Sequence, residues 1–222
     1  MTNRVWANTL RAGVMLAALL SIVPPASANL IAPGTTAAPD VFGALGGTLL
    51  ASTGTLAYST SAYSGSYQSS VFSSDPANPF CANCLDFVYM FTSDQTSIDP
   101  IHRATVTVFN GFSTDVGYDG TSIGTAPQTV DRSLNGNVVG FNFLPVANGV
   151  DPGVLPGGQS RVLVVYTNAT SFAPGSLNLI DGDVAHLKGY QPTVVPEPGT
   201  LLLLGSGLAG LVGSRFARKR RA

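Results

Sequence analysis

Apolar residues follow three different patterns along the chain. Ala12 to Val23 form an apolar run near the amino terminus, and Leu201 to Gly213 form a second run near the carboxyl terminus. Between these runs, apolar and polar residues alternate in short segments separated by glycine, proline, asparagine and aspartate. This alternation is typical of half-buried β-strands joined by turns. The chain is therefore predicted to contain a β domain with one apolar segment at each end.

The strand patterns are clearest in the middle of the chain. Leu85 to Phe91 carries leucine or an aromatic residue at every second position, which predicts a strand with one aromatic, buried face. Arg103 to Phe109 repeats the alternation and predicts another strand. Arg161 to Thr167 is almost continuously apolar and rich in β-branched residues. This last pattern predicts a central strand that is buried on both faces.

Turn signals separate the predicted strands. Asn135-Gly136 before Val138 is typical of a hairpin turn that enters a strand, and Asp181-Gly182-Asp183 separates two further apolar segments. Weaker patterns predict short strands at Thr55 to Ser59, Gly65 to Phe72 and Phe112 to Tyr118. Segments rich in turn residues predict loops at Asp75 to Asn83, Gly120 to Gly136 and Asp151 to Gly158.

Composition supports an all-β domain. Lysine is almost absent between the apolar runs, glutamate occurs once, and glycine, serine, threonine, valine, phenylalanine and tyrosine dominate. Residues that favour helices are therefore scarce and those that favour strands are abundant. We predict an antiparallel two-sheet sandwich over residues 29–190, with either an immunoglobulin-like or a jelly-roll topology. The only helices expected are those of the two terminal segments.

The amino-terminal run has the organisation of a secretory signal peptide. Arg4 and Arg11 flank a polar start, two prolines end the apolar run, and Ala26 and Ala28 occupy the positions that signal peptidase reads. The run is too short for a stable membrane span. Residues 1–28 are therefore predicted to be removed, which places the following domain in the periplasm or outside the cell. An uncleaved amino-terminal anchor is the alternative.

The carboxyl-terminal tail has three consecutive parts. Residues 191–199 form a stalk that contains Pro196, Glu197 and Pro198, and prolines keep such a segment extended because they fix φ and donate no backbone hydrogen bond. Residues 200–217 would span about 27 Å as a helix, close to the thickness of a hydrocarbon core. Basic residues follow near the end of the chain and are predicted to form a membrane stop cluster. Residues 218–222, which hold most of this cluster, are predicted to stay in the cytoplasm as a basic tail. The members of this cluster are Arg215, Arg218, Lys219, Arg220 and Arg221.

The tail as a whole resembles a known sorting signal. Pro196-Glu197-Pro198, an anchor rich in leucine and glycine, and an arginine-rich end together resemble the PEP-CTERM signal of exopolysaccharide-producing Gram-negative bacteria. The resemblance covers only residues 195–222. It implies processing by an exosortase, a membrane cysteine protease or transpeptidase, and delivery from the inner membrane to the cell surface or extracellular matrix. The alternative is an ordinary single-span anchor that follows a proline-rich linker.

Charge differs between the exported part and the whole chain, whose formal net charge is −1. Between the signal peptide and the motif, only Arg103, Arg132, Arg161 and Lys188 are basic, against eleven aspartates, so this part carries −7. Phosphate binding requires clustered lysine and arginine. Nucleic acid is therefore excluded as a partner, whereas signal peptidase, an exosortase, the membrane and exopolysaccharide remain expected or candidate partners.

The two cysteines, Cys81 and Cys84, are separated by two residues. In an exported protein this spacing favours a short disulfide, which would tie the turn before the Leu85 strand. A redox Cys-x-x-Cys site normally opens a helix, whereas a strand is predicted here. Zinc would need two further ligands, and His102 and His186 are distant in sequence. No metal or cofactor is predicted.

Residues suited to catalysis are sparse, and no catalytic residues are predicted. His102 is expected at a strand entry near the surface, and His186 on a solvated strand face. Glu197 is the only glutamate, and most aspartates lie beside glycine or proline in turns, so no carboxylate pair across a cleft is evident. Two alternatives stay open at this point. The first is a calcium site, whose ligands would be loop aspartates among Asp115, Asp119, Asp151, Asp181 and Asp183. The second is a sugar-binding surface, in which sugars would stack on Tyr58, Tyr63 or Tyr67. For these tyrosines, cross-strand aromatic pairing is the preferred interpretation.

Two function classes follow from these patterns. The favoured one is a non-catalytic surface or matrix protein that is exported, processed at its tail and delivered to the cell envelope or exopolysaccharide layer. The other is a secreted carbohydrate-active or other hydrolytic enzyme anchored by the same tail. A pocket with two close carboxylates, or a histidine bonded to both aspartate and serine, would favour the enzyme.

Overall fold

The computed structural model of the chain describes residues 29–144 and 153–194, together with Ser206. The predicted signal peptide, the Pro-Glu-Pro motif, the basic cluster and, apart from Ser206, the predicted membrane helix lie outside the described residues. Within the described part of the chain, no helix is long and apolar enough to cross a membrane. Residues 29–144 and 153–194 contain strands and connecting segments but no helix, which confirms the predicted all-β class.

The strands of this part vary in length from two to ten residues. In chain order they are β1 Thr36–Ala37, β2 Asp40–Phe42, β3 Thr48–Ser52, β4 Leu56–Ser59, β5 Ser64–Ser73, β6 Leu85–Phe91, β7 Arg103–Val106, β8 Thr114–Asp119, β9 Thr129–Arg132, β10 Val139–Asn142, β11 Leu163–Thr167, β12 Phe172–Asp181 and β13 Asp183–Pro192.

These strands form two sheets. Sheet I has the order β1-β9-β10-β7-β12-β13, and all of its neighbouring pairs are antiparallel. Sheet II has the order β2-β8-β11-β6-β5-β3, and β4 also pairs with β5. The β2–β8 pair is parallel, so sheet II is mixed and not purely antiparallel as the sequence predicted. The immunoglobulin-like or jelly-roll topology stays a prediction.

The two sheets face each other across one shared aromatic and aliphatic core. Phe87 of sheet II meets Phe109 edge-to-face, with ring centroids 5.6 Å apart, and Phe91 meets Phe143 at the same distance. Each such pair adds about 0.5–1.5 kcal/mol beyond the burial of its apolar area. Sheet I contributes Val106, Val139, Phe141, Leu177 and Leu179 to the core, and sheet II contributes Tyr89, Leu163 and Val165.

The central strands of sheet II are buried on both faces. β11 lies between β8 and β6, and all five of its residues are buried, which confirms the prediction for this strand. In β6, Asp86 and Val88 are buried as well as the aromatic face, so the predicted single buried face is wrong. The reason is that the segment before β6 covers the outer face of the sheet, where the Asn78 amide donates a hydrogen bond to Asp86 Oδ1 at 2.7 Å.

Both predicted hairpins are present. Gly136, with φ of +71°, lies in the turn between β9 and β10, and Gly182, with φ of +64°, lies between β12 and β13. The left-handed conformation explains why glycine occupies each turn. The strand β9, however, falls within the segment that was predicted as loop. Its short Thr-Val-Asp-Arg sequence contains one apolar residue, so periodicity gave no signal there.

Arg132 at the end of β9 is a buried cation held by carbonyl groups. Its guanidinium donates to the carbonyl oxygens of Phe109 at 2.7 Å, Phe112 at 2.8 Å, Gly136 at 3.1 Å and Ile31 at 3.3 Å. Burial lowers the pKa of this guanidinium. Arg132 thus fastens the amino-terminal segment to two loops of sheet I.

Hydroxyl groups of sheet II bond the edge strand β13. Tyr63, directly before β5, donates to the carbonyl oxygen of Asp183 in β13 at 3.0 Å and also to that of Leu179 in β12 at 2.8 Å. Tyr89 donates to the carbonyl oxygen of Tyr190 at 2.8 Å. In the opposite direction, the Lys188 amide donates to the Tyr67 hydroxyl at 3.2 Å, and the Tyr190 amide donates to Ser69. β13 has no neighbouring strand on its free edge. Side chains from the facing sheet therefore make hydrogen bonds that such a strand would otherwise make.

A strained residue ends β7. Val108 has φ of +69°, so the strand stops at Val106 and does not reach Phe109 as predicted. A left-handed conformation costs an L-residue about 1–2 kcal/mol, and β-branched residues are the least suited to it. Asparagine tolerates this conformation far better.

The substitution Val108→Asn is therefore expected to raise the free energy of unfolding by about 1 kcal/mol, measured by urea denaturation of the mature protein. Ile123→Asn serves as the control, because Ile123 is 79% exposed and has no left-handed backbone. Its unfolding midpoint should match that of the wild type. A Val108→Asn midpoint equal to or below wild type would contradict the proposed strain.

Candidate functional site

The two cysteines form a disulfide at the turn that enters β6. The Cys84 amide donates to the Cys81 carbonyl at 3.1 Å, and the next amide, that of Leu85, donates to the Ala169 carbonyl at 2.9 Å. Cys84 is buried and Cys81 is exposed. The bond therefore ties the entry of a central strand, in the place that the sequence predicted, and a strand and not a helix follows it.

Two carboxyl groups meet beside the first described residue. The Asn29 backbone nitrogen donates to Asp115 Oδ2 at 3.3 Å, and its side-chain amide donates to Asp40 Oδ1 at 3.2 Å. The parallel pairing of β2 with β8 sets Asp40 opposite Gly117, two residues from Asp115, and both carboxyl groups border the same cavity. Burial, together with this neighbouring carboxyl, raises the pKa of Asp115 to about 7.

This carboxyl pair borders an open cavity of about 290 Å³. Phe42, Ala77 and Pro79 form much of its wall. Asp115 is 3% exposed, whereas Asp40 is half-buried and Asn29 is exposed. The sequence did not reveal this pair, because Asp40 and Asp115 are far apart in the chain and a parallel edge pairing was not predicted.

A second buried acid lies in the same row of sheet II. Tyr166 on β11 pairs in register with Asp115 on one side and with Asp86 on the other. Burial raises the pKa of Asp86 to about 7, although the hydrogen bond from Asn78 acts in the opposite direction. The Tyr166 hydroxyl lies 3.5 Å from Asp75 Oδ2, and burial together with these acids raises the pKa of Tyr166. The row therefore places three titratable groups side by side under the segment that contains Asn78.

The histidines lie near their predicted positions. His102 precedes β7 and is half-buried, and its Nδ1 lies 2.7 Å from Asp181 Oδ1. His186 is exposed on β13, with Nδ1 2.8 Å from Asn178 Oδ1. Each histidine thus bonds a residue of β12, His102 from the position directly before β7 and His186 from β13.

The aspartates considered as calcium ligands are dispersed. Asp119 accepts hydrogen bonds from the amide and hydroxyl of Thr121, and Asp183 accepts from the amide and hydroxyl of Ser61. Among residues 29–144 and 153–194, no group of three or more histidine, cysteine or acidic side chains is arranged to hold a metal ion. Asp151 lies outside the described residues.

The three tyrosines considered for sugar stacking are buried. Tyr58 contacts Tyr63 and Tyr67 edge-to-face, with ring centroids 6.2 and 6.4 Å apart. Burial raises the pKa of both Tyr58 and Tyr63. Aromatic pairing, the preferred interpretation of the sequence, is therefore confirmed. Beside them, β4 and β13 border an open groove of about 450 Å³, whose rim carries Leu56 and Val184.

The folded domain ends at the edge of sheet I. β13 ends at Pro192, the Thr193 amide donates to the Ser171 carbonyl at 3.0 Å, and Val194 is 73% exposed. Residues 194–221 match the family model of the PEP-CTERM protein-sorting motif. The tail is a PEP-CTERM motif. The matched residues begin at Val194, two residues after the end of β13. Neither a curated protein nor a solved structure matches the chain.

The PEP-CTERM motif indicates exosortase-dependent sorting of an exported protein, which confirms the resemblance found in the sequence. The match includes Pro196, Glu197 and Pro198 and the basic cluster up to Arg221. These residues, like the predicted cleavage residues Ala26 and Ala28, lie outside the described residues. Their roles in recognition and cleavage therefore stay predictions.

The disulfide leads to a stability prediction. Closing a loop this short should stabilise the fold by about 2 kcal/mol through the entropy of the unfolded chain. The double variant Cys81→Ser/Cys84→Ser is expected to unfold at a lower urea concentration by the corresponding amount. A reducing agent should lower the midpoint of the wild type towards that of the variant and leave the variant unchanged. Equal unfolding midpoints for the oxidised wild type and the double variant would contradict this role of the disulfide.

Asp86 leads to a pH prediction. Its pKa is raised from 3.8 to about 7, so the folded state holds the proton more tightly than the unfolded state. The stability contributed by this proton is present below about pH 4 and is lost as the pH rises through about 7. Asp86→Asn, which keeps an oxygen for the Asn78 amide, should therefore weaken this pH dependence and exceed wild type in melting temperature at about pH 8.

The control for this experiment is Asp99→Asn, which removes an exposed carboxylate. Its melting temperature should follow the wild-type pH profile between about pH 4 and pH 8. If Asp86→Asn also follows that profile, the buried carboxyl does not titrate as described.

Proposed function

We propose that this chain is an exported, non-catalytic protein of the cell surface or extracellular matrix, sorted by an exosortase. Residues 1–28 direct export, and the helix at residues 200–217 holds the precursor in the inner membrane until the tail is processed at Pro196, Glu197 and Pro198. The mature domain then joins the envelope or the exopolysaccharide layer. The observation that carries this proposal is the PEP-CTERM match over residues 194–221.

The position of the motif suits processing by a membrane enzyme. Thr193 makes the last described backbone hydrogen bond of the domain, and Val194 is exposed. From Thr193 to Pro196 the chain can extend about 10 Å. Because only residues 193–195 separate β13 from Pro196, we expect an exosortase to reach the motif without unfolding β13.

The contacts of the polar side chains support a structural role for the domain. His102 pairs with Asp181, and Arg103 pairs with Asp131, whose pKa this arginine lowers. Asp75 accepts amide hydrogen bonds from Gly46 and Ala77. These groups hold loops and strands in place, and their hydrogen-bonding capacity is used within the fold.

The carboxyl pair of Asp40 and Asp115 is the observation that favours the enzymatic alternative. Retaining glycosidases, however, hold their two carboxyl groups about 5–5.5 Å apart, and inverting enzymes hold them farther apart. Here Asn29 bonds to both groups, through its backbone nitrogen to Asp115 and through its side-chain amide to Asp40. Both carboxyl groups thus serve a contact within the fold, so the non-catalytic function is preferred.

The test is intact-mass and terminal-peptide mapping of the protein from cells that produce an exosortase. The wild type should begin at Asn29, end near residues 196–198 and be recovered outside the inner membrane. A variant with Pro196, Glu197 and Pro198 all changed to alanine should keep residues 201–222 and stay in the inner membrane.

Val195→Ala, directly before the three residues, is the matched control and should be processed like the wild type. Wild-type protein that keeps its tail in the inner membrane would exclude exosortase sorting and leave an anchored periplasmic domain. Equal processing of the triple variant would show that these three residues do not determine recognition.

A further inference from the structure

The residues that follow the predicted signal-peptidase site are built into the fold. Leu30 pairs with Asp115 on β8, the Ile31 amide donates to the Thr114 carbonyl at 3.1 Å, and Ile31 is 4% exposed. The Ile31 carbonyl accepts a hydrogen bond from the buried guanidinium of Arg132. The segment is thus held against sheet II within two residues of Asn29, and the position of the Asn29 nitrogen is fixed by these contacts.

That nitrogen lies beside two acidic side chains. Asp115 and Asp40 form no ion pair with any basic side chain in residues 29–144 and 153–194. Asp115 Oδ1 is buried and accepts no well-formed hydrogen bond from the described residues. When two carboxyl groups are adjacent, the charge on one disfavours ionisation of the other unless a positive charge lies beside them. In the uncleaved chain, the Asn29 nitrogen is a peptide N–H that supplies one hydrogen bond and no charge.

We infer that Asp40 and Asp115 form a binding site for the mature amino terminus, and that cleavage after Ala28 creates the ammonium group that occupies it. This inference rests on the export step of the proposed function. Hydrolysis adds water across the Ala28–Asn29 bond: hydroxide goes to the Ala28 carbonyl carbon, a proton goes to the Asn29 nitrogen, and solvent supplies the further proton of the ammonium. The new group has three donors and a full positive charge, 3.3 Å from Asp115 Oδ2.

The consequence is that signal-peptide removal stabilises the folded domain. Before cleavage, ionising both carboxyls places two negative charges together with no ammonium beside them. After cleavage, both can ionise against the ammonium, and charge-assisted hydrogen bonds of this kind are stronger than neutral ones. By linkage, the carboxylates raise the pKa of the α-amine above its ordinary value of about 7.7–8.0. The precursor domain is therefore less stable than the mature domain.

The experiment uses the full chain, expressed in a Gram-negative host and purified with its natural amino terminus. Terminal-peptide mapping first establishes whether the protein begins at Asn29. The α-amine is then acetylated near pH 7, where it reacts before the two lysines of the chain, Lys188 and Lys219. Acetylation should lower the melting temperature of the wild type by about 5 °C.

Asp115→Asn should show a lower melting temperature before acetylation and little further loss after it. Asp99→Asn, which removes an exposed carboxylate, should respond to acetylation like the wild type. Equal losses in Asp115→Asn and wild type, or no loss in wild type, would overturn the inference. If Asp115→Asn does not fold, the pH dependence of wild-type acetylation decides: an α-amine pKa at its ordinary value would also overturn it.

The outcomes separate this inference from the proposed function. A protein that retains residues 1–28 would show that the export step fails, whatever the carboxyl pair binds. A protein that begins at Asn29 but is insensitive to acetylation would leave export intact and exclude the ammonium site. Asp40→Asn adds a second check, because it removes the other carboxyl and should reduce the acetylation effect in part.

Discussion

The fold depends on how the edge strand β13 satisfies its backbone. This strand has a neighbour on one side only, and its other side faces β4 and β5 of the opposite sheet. The hydroxyls of Tyr63, Tyr67 and Tyr89 supply the bonds that a further strand would make. Phenylalanine would fill the same volume and leave backbone groups unpaired, which costs about 1–3 kcal/mol for each buried group. Because the PEP-CTERM tail continues from β13, the same hydroxyls hold the strand that carries the sorting signal.

The sequence was most informative where one interaction dominates locally. The continuous β-branched run of β11 has no polar face to expose, so a central position was its only stable placement. Gly136 and Gly182 marked hairpins because their turns require left-handed backbone that other residues resist. The sorting tail could be recognised because its three parts follow one another directly in the sequence. No folding is needed to bring them together.

The sequence was least informative where distant segments meet. Alternation placed Asp86 on an open face, but periodicity cannot show that a segment without regular structure covers that face. Asn29 and Asp115 are separated by 86 positions and meet because the amino-terminal segment and β2 both lie along β8. A protonated, buried aspartate also has no signature in composition. Net charge likewise cannot show which acids are buried, as Asp86 and Asp115 are.

The two ends of the described domain lie on different sheets. The amino-terminal end joins sheet II beside its edge strand β2, and the carboxyl-terminal end leaves the edge strand of sheet I. In the proposed function, signal peptidase would leave an ammonium close to the fold, where the carboxyl pair can hold it. Exosortase processing would form its new end after Val194, which is exposed. We therefore expect cleavage at the first end to change the stability of the domain, and cleavage at the second to change its attachment to the membrane.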